Sequence, residues 1–264
     1  MMQTDVHSHT TFSDGSTLAA MIDAAETAGL DALGLTYHCI VTDDAFDRGE
    51  TFDLIETYEQ RRAVVDAARE DTSLTLYDAA EVSYVAGEAD AIREFLSTAD
   101  FAYTIGSVHF ADQYDYTAAA QYADADNETR RAAVERYYDA VVGLVDAELF
   151  DVLGHLDLPE RLPTLRGFST TADYERVAAA LADSRTVPEI NAGRVNRSLN
   201  QVHPDPESFS CFHDHGVAFV LGTDSHTPDE LPTRVPAPEA AAARSAVAVV
   251  DLAPALAERR PPLR

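Results

Sequence analysis

Near its start the chain reads Asp5-Val6-His7-Ser8-His9. Residues i and i+2 of an extended strand share a face, so His7 and His9 are placed to bind one cation from one strand end. Further ligand types recur after apolar runs that read as strands: His38 after Leu33-Gly34-Leu35-Thr36, Glu81 after Leu74-Thr75-Leu76-Tyr77, and His109 after Thr104-Ile105-Gly106-Ser107-Val108. His155 follows Val152-Leu153-Gly154, and Asp224 with His226 follows Val217 to Leu221. Imidazoles and carboxylates gathered at strand C-terminal ends form a catalytic metal site at the mouth of a parallel barrel. Two divalent cations about 3.5–4 Å apart share a water, bring its pKa towards neutrality and polarise a phosphoryl oxygen. The expected chemistry is in-line hydrolysis of a phosphate ester, with a metal-bridging hydroxide held at Glu81 as the nucleophile. Zn, Mn, Fe and Co all suit this ligand set.

The chain contains no lysine, which excludes Schiff-base catalysis, P-loop phosphate binding and a carbamylated-lysine metal bridge. A bridging ligand must therefore be a carboxylate. Arginine, whose fork binds phosphate oxygens bidentately, is the candidate side chain for phosphate contacts. The candidates are Arg161, after Gly154-His155-Leu156-Asp157, and Arg194 and Arg197, after Glu189-Ile190-Asn191. Asp5 and Asp157 lie beside ligands and are expected to accept hydrogen bonds that orient imidazoles; Glu189 is expected either to do the same or to contact a substrate amine. His203, His213 and His215 follow no strand and are expected at the surface. Ser107 and Ser225 are not read as nucleophiles, since nothing suggests a Ser-His-Asp order.

The elements that must position these groups alternate strand and helix, which argues for an α/β fold with a parallel sheet. Strands are expected near 3–7, 32–36, 74–80, 101–108, 150–154, 186–191 and 217–222. Helices are expected near 17–29, 53–70, 88–98, 128–148, 171–184 and 205–215, with a last one near 237–257 packing on the barrel. Thr17 and Gly29 cap the first helix, and Leu18, Met21, Ile22 and Ala25 form its apolar stripe. The segment 110–127, rich in tyrosine, shows neither period and reads as a loop over the site or a solvated excursion.

The length of 264 residues and 46% hydrophobic content fit one domain over 1–264. No apolar stretch approaches the roughly 20 residues that span a bilayer, and the N-terminus lacks a signal-peptide pattern, so a cytoplasmic protein with no membrane partner is expected. Cys39 and Cys211 make no disulfide framework. With 46 Asp and Glu against 19 Arg, the net charge is −27, and the acids are spread along the chain. Long nucleic acid is not expected as a partner, whereas a small phosphorylated metabolite is. Such self-repulsion predicts a salt-adapted protein that loses structure at low ionic strength.

As a set, these motifs resemble the PHP (polymerase and histidinol phosphatase) superfamily. The carriers are Asp5-Val6-His7-Ser8-His9-Thr10 with Ser13-Asp14-Gly15, Gly34-Leu35-Thr36-Tyr37-His38, Glu81, Gly106-Ser107-Val108-His109, Gly154-His155-Leu156-Asp157 and Gly222-Thr223-Asp224-Ser225-His226. Gly106-Ser107-Val108-His109, Gly154-His155-Leu156-Asp157 and Glu189-Ile190-Asn191 with the arginines after it are most similar to its histidinol-phosphate phosphatase branch. The resemblance implies a distorted (β/α)7 TIM-like barrel with two to three divalent metals. His7, His9, Glu81 and Asp224 would hold the first; Glu81, as bridge, with His109 and His155 the second; His38, His226 and Asp14 the third. The chain departs at Tyr37, where many members carry an acidic residue, so the third site is expected to bind most weakly. The activity implied is hydrolysis of L-histidinol phosphate in histidine biosynthesis. The alternatives are a phosphatase or phosphodiesterase acting on nucleotides such as a nucleoside 3′,5′-bisphosphate, and a non-catalytic metal-binding module.

Overall fold

The apolar runs that precede the candidate ligands become strands because β-branched and aromatic side chains pack well on a pleated surface. The computed structural model of the protein describes residues 2–41 and 54–252. Along it run β1 (Thr4–His9), α1 (Leu18–Ala28), β2 (Ala32–Thr36), a two-residue continuation β3 (His38–Cys39), α2 (Leu54–Arg69), β4 (Thr75–Ser83) and α3 (Ala89–Thr98). Then come β5 (Tyr103–Ser107), a small hairpin β6 (Phe110–Ala111) and β7 (Tyr114–Asp115), α4 (Asn127–Asp146), β8 (Val152–Leu153), α5 (Leu158–Arg161) and α6 (Thr171–Ala182). The chain continues through β9 (Val187–Asn191), α7 (Phe209–Asp214), β10 (Val220–Gly222), α8 (Glu230–Arg234) and α9 (Pro236–Ser245).

The strand order β1-β2-β4-β5-β8-β9-β10 is parallel throughout. Just past β10 the ring is drawn together: the Asp224 N–H donates to His7 O at 2.7 Å and the His9 N–H to Ser225 O at 2.8 Å. The result is the nearly closed seven-stranded TIM-like barrel that the strand count predicts. Among the described residues no helix is long and apolar enough to cross a membrane.

Strand alternation sets two interior layers. Val6, Ala79, Ile105, Val152, Val187 and Val220 share one apolar cluster with Tyr103, whose hydroxyl donates to Val6 O at 2.6 Å. Two residues further along, the same strands present Glu81, Ser107, Gly154, Glu189 and Gly222. In β1 a register shift between Asp5 and Ser8 inserts one residue against β2. This bulge lets neighbouring residues serve both layers, with Val6 in the apolar cluster and His7 on Glu189.

The first helix follows its sequence signals: the Thr17 hydroxyl accepts from the Ala20 N–H, Met21, Ile22 and Ala25 are buried, and Gly29 closes the helix at φ 77°. Other expectations are corrected. The segment after His109, expected without regular structure, forms the β6–β7 hairpin and is held down by its tyrosines, while Asp112, Gln113, Thr117 and Gln121 stay exposed. Tyr116 and Tyr122 are buried, Tyr116 donates to Ala133 O on α4, and its ring meets Tyr137 edge-on at 4.8 Å. The helix expected near 237–257 ends at Ser245, after which Ala246 is left-handed and Val249 pairs with Phe219; 253–257 lies outside the described residues.

Candidate metal centre

Glu81 projects from β4 into the barrel mouth with 1% exposure, and its two oxygens face two different sets of imidazoles. Oε2 lies 3.4 Å from His7 Nε2, 3.6 Å from His9 Nε2 and 2.9 Å from His38 Nδ1. Oε1 lies 2.8 Å from His155 Nε2 and 3.5 Å from His109 Nε2. Asp224 Oδ1 stands 3.6 Å from His9 Nε2. Nearer solvent, Asp14 Oδ1 lies 3.2 Å from His226 Nε2 and 3.5 Å from His38 Nε2.

Three groups of donor atoms emerge, each lying within 4.8 Å of one another: His7, His9 and Asp224; His38, Glu81 and His109; and His9, Asp14, His38 and His226. These groups hold eight of the nine candidate ligands, and His155 joins them through Glu81 Oε1, so all nine surround one mouth. His9 and His38 each stand between two groups.

The outward faces of the rings decide whether the inward nitrogens can ligate a metal. His7 Nδ1 lies 2.9 Å from Glu189 Oε2, and a carboxylate only accepts, so this nitrogen carries the proton and Nε2 points inward with a lone pair. His226 Nδ1 likewise donates to Asp224 O at 3.2 Å, while His109 Nδ1 meets Ser83 Oγ at 2.8 Å. His7 Nε2 and His9 Nε2 approach to 3.1 Å, a contact between two nitrogens that a shared proton or cation must bridge. This donor set fits divalent metal ions of the borderline kind that favour imidazole with carboxylate.

The electrostatics agree. Burial would push the Glu81 carboxyl up, but His7 and His38, with bonds from His109 and His155, hold it well below the usual range. Burial also opposes ionisation of Asp224, which His9, His7 and Arg161 nevertheless keep well below its ordinary value. His9 is lowered to about 3 by burial and by His38 and His226, which leaves a neutral, ligating imidazole. His7 is raised despite its burial, because Glu189 and Glu81 attract positive charge; a proton and a metal compete for the same nitrogen.

Glycine is required where these side chains crowd the backbone. A Cβ on Gly222 would stand 2.4 Å from Glu189 Oε2 and 3.0 Å from His7 Cβ; one on Gly193 would stand 2.4 Å from Asp224 Oδ2. Asp224 itself sits at φ 51°, a left-handed conformation uncommon outside glycine that aspartate tolerates better than most residues.

The supporting residues divide differently from expectation. Glu189 is fully buried; Oε1 accepts from the His155 N–H at 2.8 Å and from Asn191 Nδ2 at 2.7 Å while Oε2 takes His7, so its contacts are to the candidate ligands and their neighbours. Asp5 meets no imidazole. It accepts from the His7 and Thr223 N–H groups and the Thr223 hydroxyl, tying β1 to the segment just after β10 that carries Asp224, and burial lifts its carboxyl to about 6 against those bonds. Asp157 does orient an imidazole, but it is that of His203, at 2.8 Å. His203 is wholly buried, not superficial, because its backbone pairs with Asn191 in both directions. His213 and His215 are exposed, as expected.

The arginines gather on one side of Asp224. Arg161 is buried and donates to Asp224 Oδ2 at 3.0 Å and to Asn191 Oδ1 at 2.5 Å. Arg194 is half-buried and lowered by that burial and by Arg161, Arg197 and Arg234, which marks a local excess of positive charge. Arg197 is exposed and bonds Glu230 at 2.5 Å. Sequence reasoning missed Glu230 and Arg234. Glu230 Oε2 accepts from the His226 and Thr227 N–H groups, and Arg234 donates to Asp224 O at 2.7 Å, so the two brace the loop that carries Asp224 and His226. The signal for them was the Asp229-Glu230…Arg234 helical spacing directly after that motif.

Comparison with known proteins returns consistent relatives. The PHP domain matches residues 5–191. A Deinococcus radiodurans protein named "Probable histidinol-phosphatase" is 28% identical over 212 residues, 79% of each chain. The histidinol phosphate phosphatase of Lactococcus lactis, solved with zinc, L-histidinol and phosphate, superposes with a TM-score of 0.74 at 21% identity, over 94% of this chain and 95% of that one. A Listeria monocytogenes protein provisionally assigned the same activity gives 0.70 at 17% identity, over 86% and 96%. At those identities the superpositions establish the barrel fold.

Proposed function

The chain belongs to the PHP domain family, and from that premise we propose that it is a metal-dependent phosphomonoesterase that hydrolyses L-histidinol phosphate to L-histidinol and phosphate. The observation that carries this reading is a local reversal of charge. In a protein of net charge −27, Arg161, Arg194 and Arg234 converge beside Asp224, at the rim of a cluster built from imidazoles and carboxylates. An anion entering the mouth meets a group of guanidiniums there, whereas so acidic a surface as a whole repels it. The names of the relatives supply the substrate class.

Two to three divalent cations (Zn, Mn, Fe or Co), held by His7, His9, Glu81 and Asp224, by Glu81, His109 and His155, and by Asp14, His38 and His226, would supply a nucleophilic oxygen at neutral pH and polarise the phosphoryl group. The chain's own side chains do the remaining work. Glu81, ionised and shared between two sets of imidazoles, fixes the spacing of those sets. Glu189 holds His7 in the tautomer with Nε2 inward. Arg161, Arg194 and Arg197 bind the nonbridging phosphate oxygens and offset charge as the ester bond breaks. For Arg197 this requires exchanging Glu230 for the substrate, which its exposed position permits. The leaving alkoxide takes its proton from solvent, which reaches the mouth on the side of the partly exposed His38 and His226.

The acidic surface supports a second part of the proposal: salt-adapted activity, with assays run in molar salt, where the Debye length is about 3 Å. The test is phosphate release from L-histidinol phosphate against p-nitrophenyl phosphate and a nucleoside 3′,5′-bisphosphate, under those conditions with Mn or Zn. A kcat/KM for histidinol phosphate at least tenfold above both is expected. Preference for the nucleotide would overturn the substrate assignment, and a melting temperature unchanged from low to molar salt would overturn the salt adaptation.

A further inference from the structure

One buried cation lies outside the site yet touches both strands that feed it. Arg61 is 1% exposed, and its guanidinium enters the sheet from α2. The ladder between β2 and β4 runs from Ala32↔Thr75 to Leu35↔Asp78 and resumes at His38↔Glu81 in unchanged register, so Thr36 and Tyr37 do not pair with Ala79 and Ala80. Buried carbonyls at such a break need donors from elsewhere. Arg61 supplies them: Nη2 donates to Leu35 O on one strand and to Ala79 O, at 3.0 Å, on the other. Its Nη1 pairs with the buried Asp78, and the Tyr37 ring lies 4.4 Å beneath the guanidinium carbon. Immediately beyond this plug the Glu81 N–H returns to Tyr37 O at 2.9 Å, and His38 and Glu81 turn into the mouth.

We infer that Arg61 is a positioning residue that fixes the separation of His38 and Glu81 by bridging the opened ladder one turn of pleat below them. The inference rests on reading the cluster as a metal centre. A guanidinium is the one side chain with a planar fork able to serve two carbonyls and a carboxylate at once. Tyr37 belongs to the same device. Its aromatic ring is turned into the core as a platform for Arg61.

The test compares Arg61→Lys with wild type and with Arg131→Ala, which removes a half-buried pair to Asp173 remote from the mouth. Lysine keeps the charge opposite Asp78 but cannot bridge both carbonyls. Each chelated protein is titrated with Co2+ alone in molar salt, reading visible absorption for ligand geometry and far-UV circular dichroism for the fold. In folded Arg61→Lys the affinity for at least one Co2+ should fall about tenfold or more, with an altered spectrum, while Arg131→Ala binds as wild type. If Arg61→Lys does not fold, Asp78→Asn, which keeps its shape and loosens the guanidinium, is read by the same criterion. Wild-type Co2+ affinity and spectrum in the folded variant overturns the inference. A wild type that takes up no Co2+ overturns the metal centre and this inference with it.

Discussion

Two layers of the same barrel lie one alternation apart and have opposite tasks. Below, Ala79, Ile105, Val152, Val187 and Val220 close the interior with apolar side chains; two residues on, the same strands carry Glu81, Ser107, Gly154, Glu189 and Gly222. The lower layer gains by leaving water, whereas the upper layer loses by it unless every charge finds a partner. The partners are present: the ionised Glu81 and Glu189 are surrounded by His7, His38, His109 and His155, and Gly222 leaves the room that Glu189 needs. Strand rise separates stability from chemistry by roughly 6.6 Å in each strand.

Substitutions that break the comparison should sort by layer. Glu81→Gln removes the charge shared by two imidazole sets; turnover should fall by more than about a hundredfold, beyond the range of outer residues, with the melting temperature in saturating metal falling as well. Activity within tenfold of wild type would contradict its place at the centre. Glu189→Gln touches the same layer from behind. It weakens the hold on the His7 tautomer and should cost about 10–100-fold in metal affinity, read by titrating the chelated protein.

One layer down the readout should change kind. Ile105→Ala should cost about 2–5 kcal/mol of stability by leaving a cavity, yet its kcat per folded molecule should stay near wild type. A parallel loss of metal affinity would erase the distinction between layers.

The smallest effect lies outside both. Asp173 forms a capping box with Thr170 and bonds Arg131 at 2.6 Å; although burial opposes it, these partners hold its carboxyl below the ordinary value of 3.8. A depressed carboxyl contributes stability above the unfolded value and loses it as pH falls through the folded one. Asp173→Asn should therefore be less stable than wild type by about 1–2 kcal/mol at pH 7, with the gap closing below pH 3.8. Denaturant midpoints at both pH values check this, and a gap that widens on acidification would contradict the sign.

The sequence made the upper layer legible because every candidate ligand but Asp14 lies at or just after an apolar run, so strand end and chemistry are written side by side. Glu81 and His155 needed only local reading. What stayed hidden depends on chain return. His203 lies in Gln201-Val202-His203-Pro204-Asp205, a polar string that reads as solvated, and only pairing with Asn191 and Asp157 buries it. Arg61 neighbours Arg62 on α2, with nothing local to set the two apart; only the interrupted ladder between β2 and β4 gives Arg61 a place inside. The hairpin after His109 was obscured because its tyrosines pack on α4, a contact with no local period. The bulge in β1, which turns His7 towards Glu189, left no mark in composition at all.

The central claim, that the upper layer is a metal centre for phosphate-ester hydrolysis, is tested most directly by removing metal and returning it. The chelated protein, held in molar salt, is supplied with L-histidinol phosphate while Mn2+ or Zn2+ is added in measured equivalents. Phosphate release should start near background and rise to a plateau as two to three equivalents bind per chain. Full turnover in the chelated protein, or saturation with metal and no phosphate released, would contradict the account.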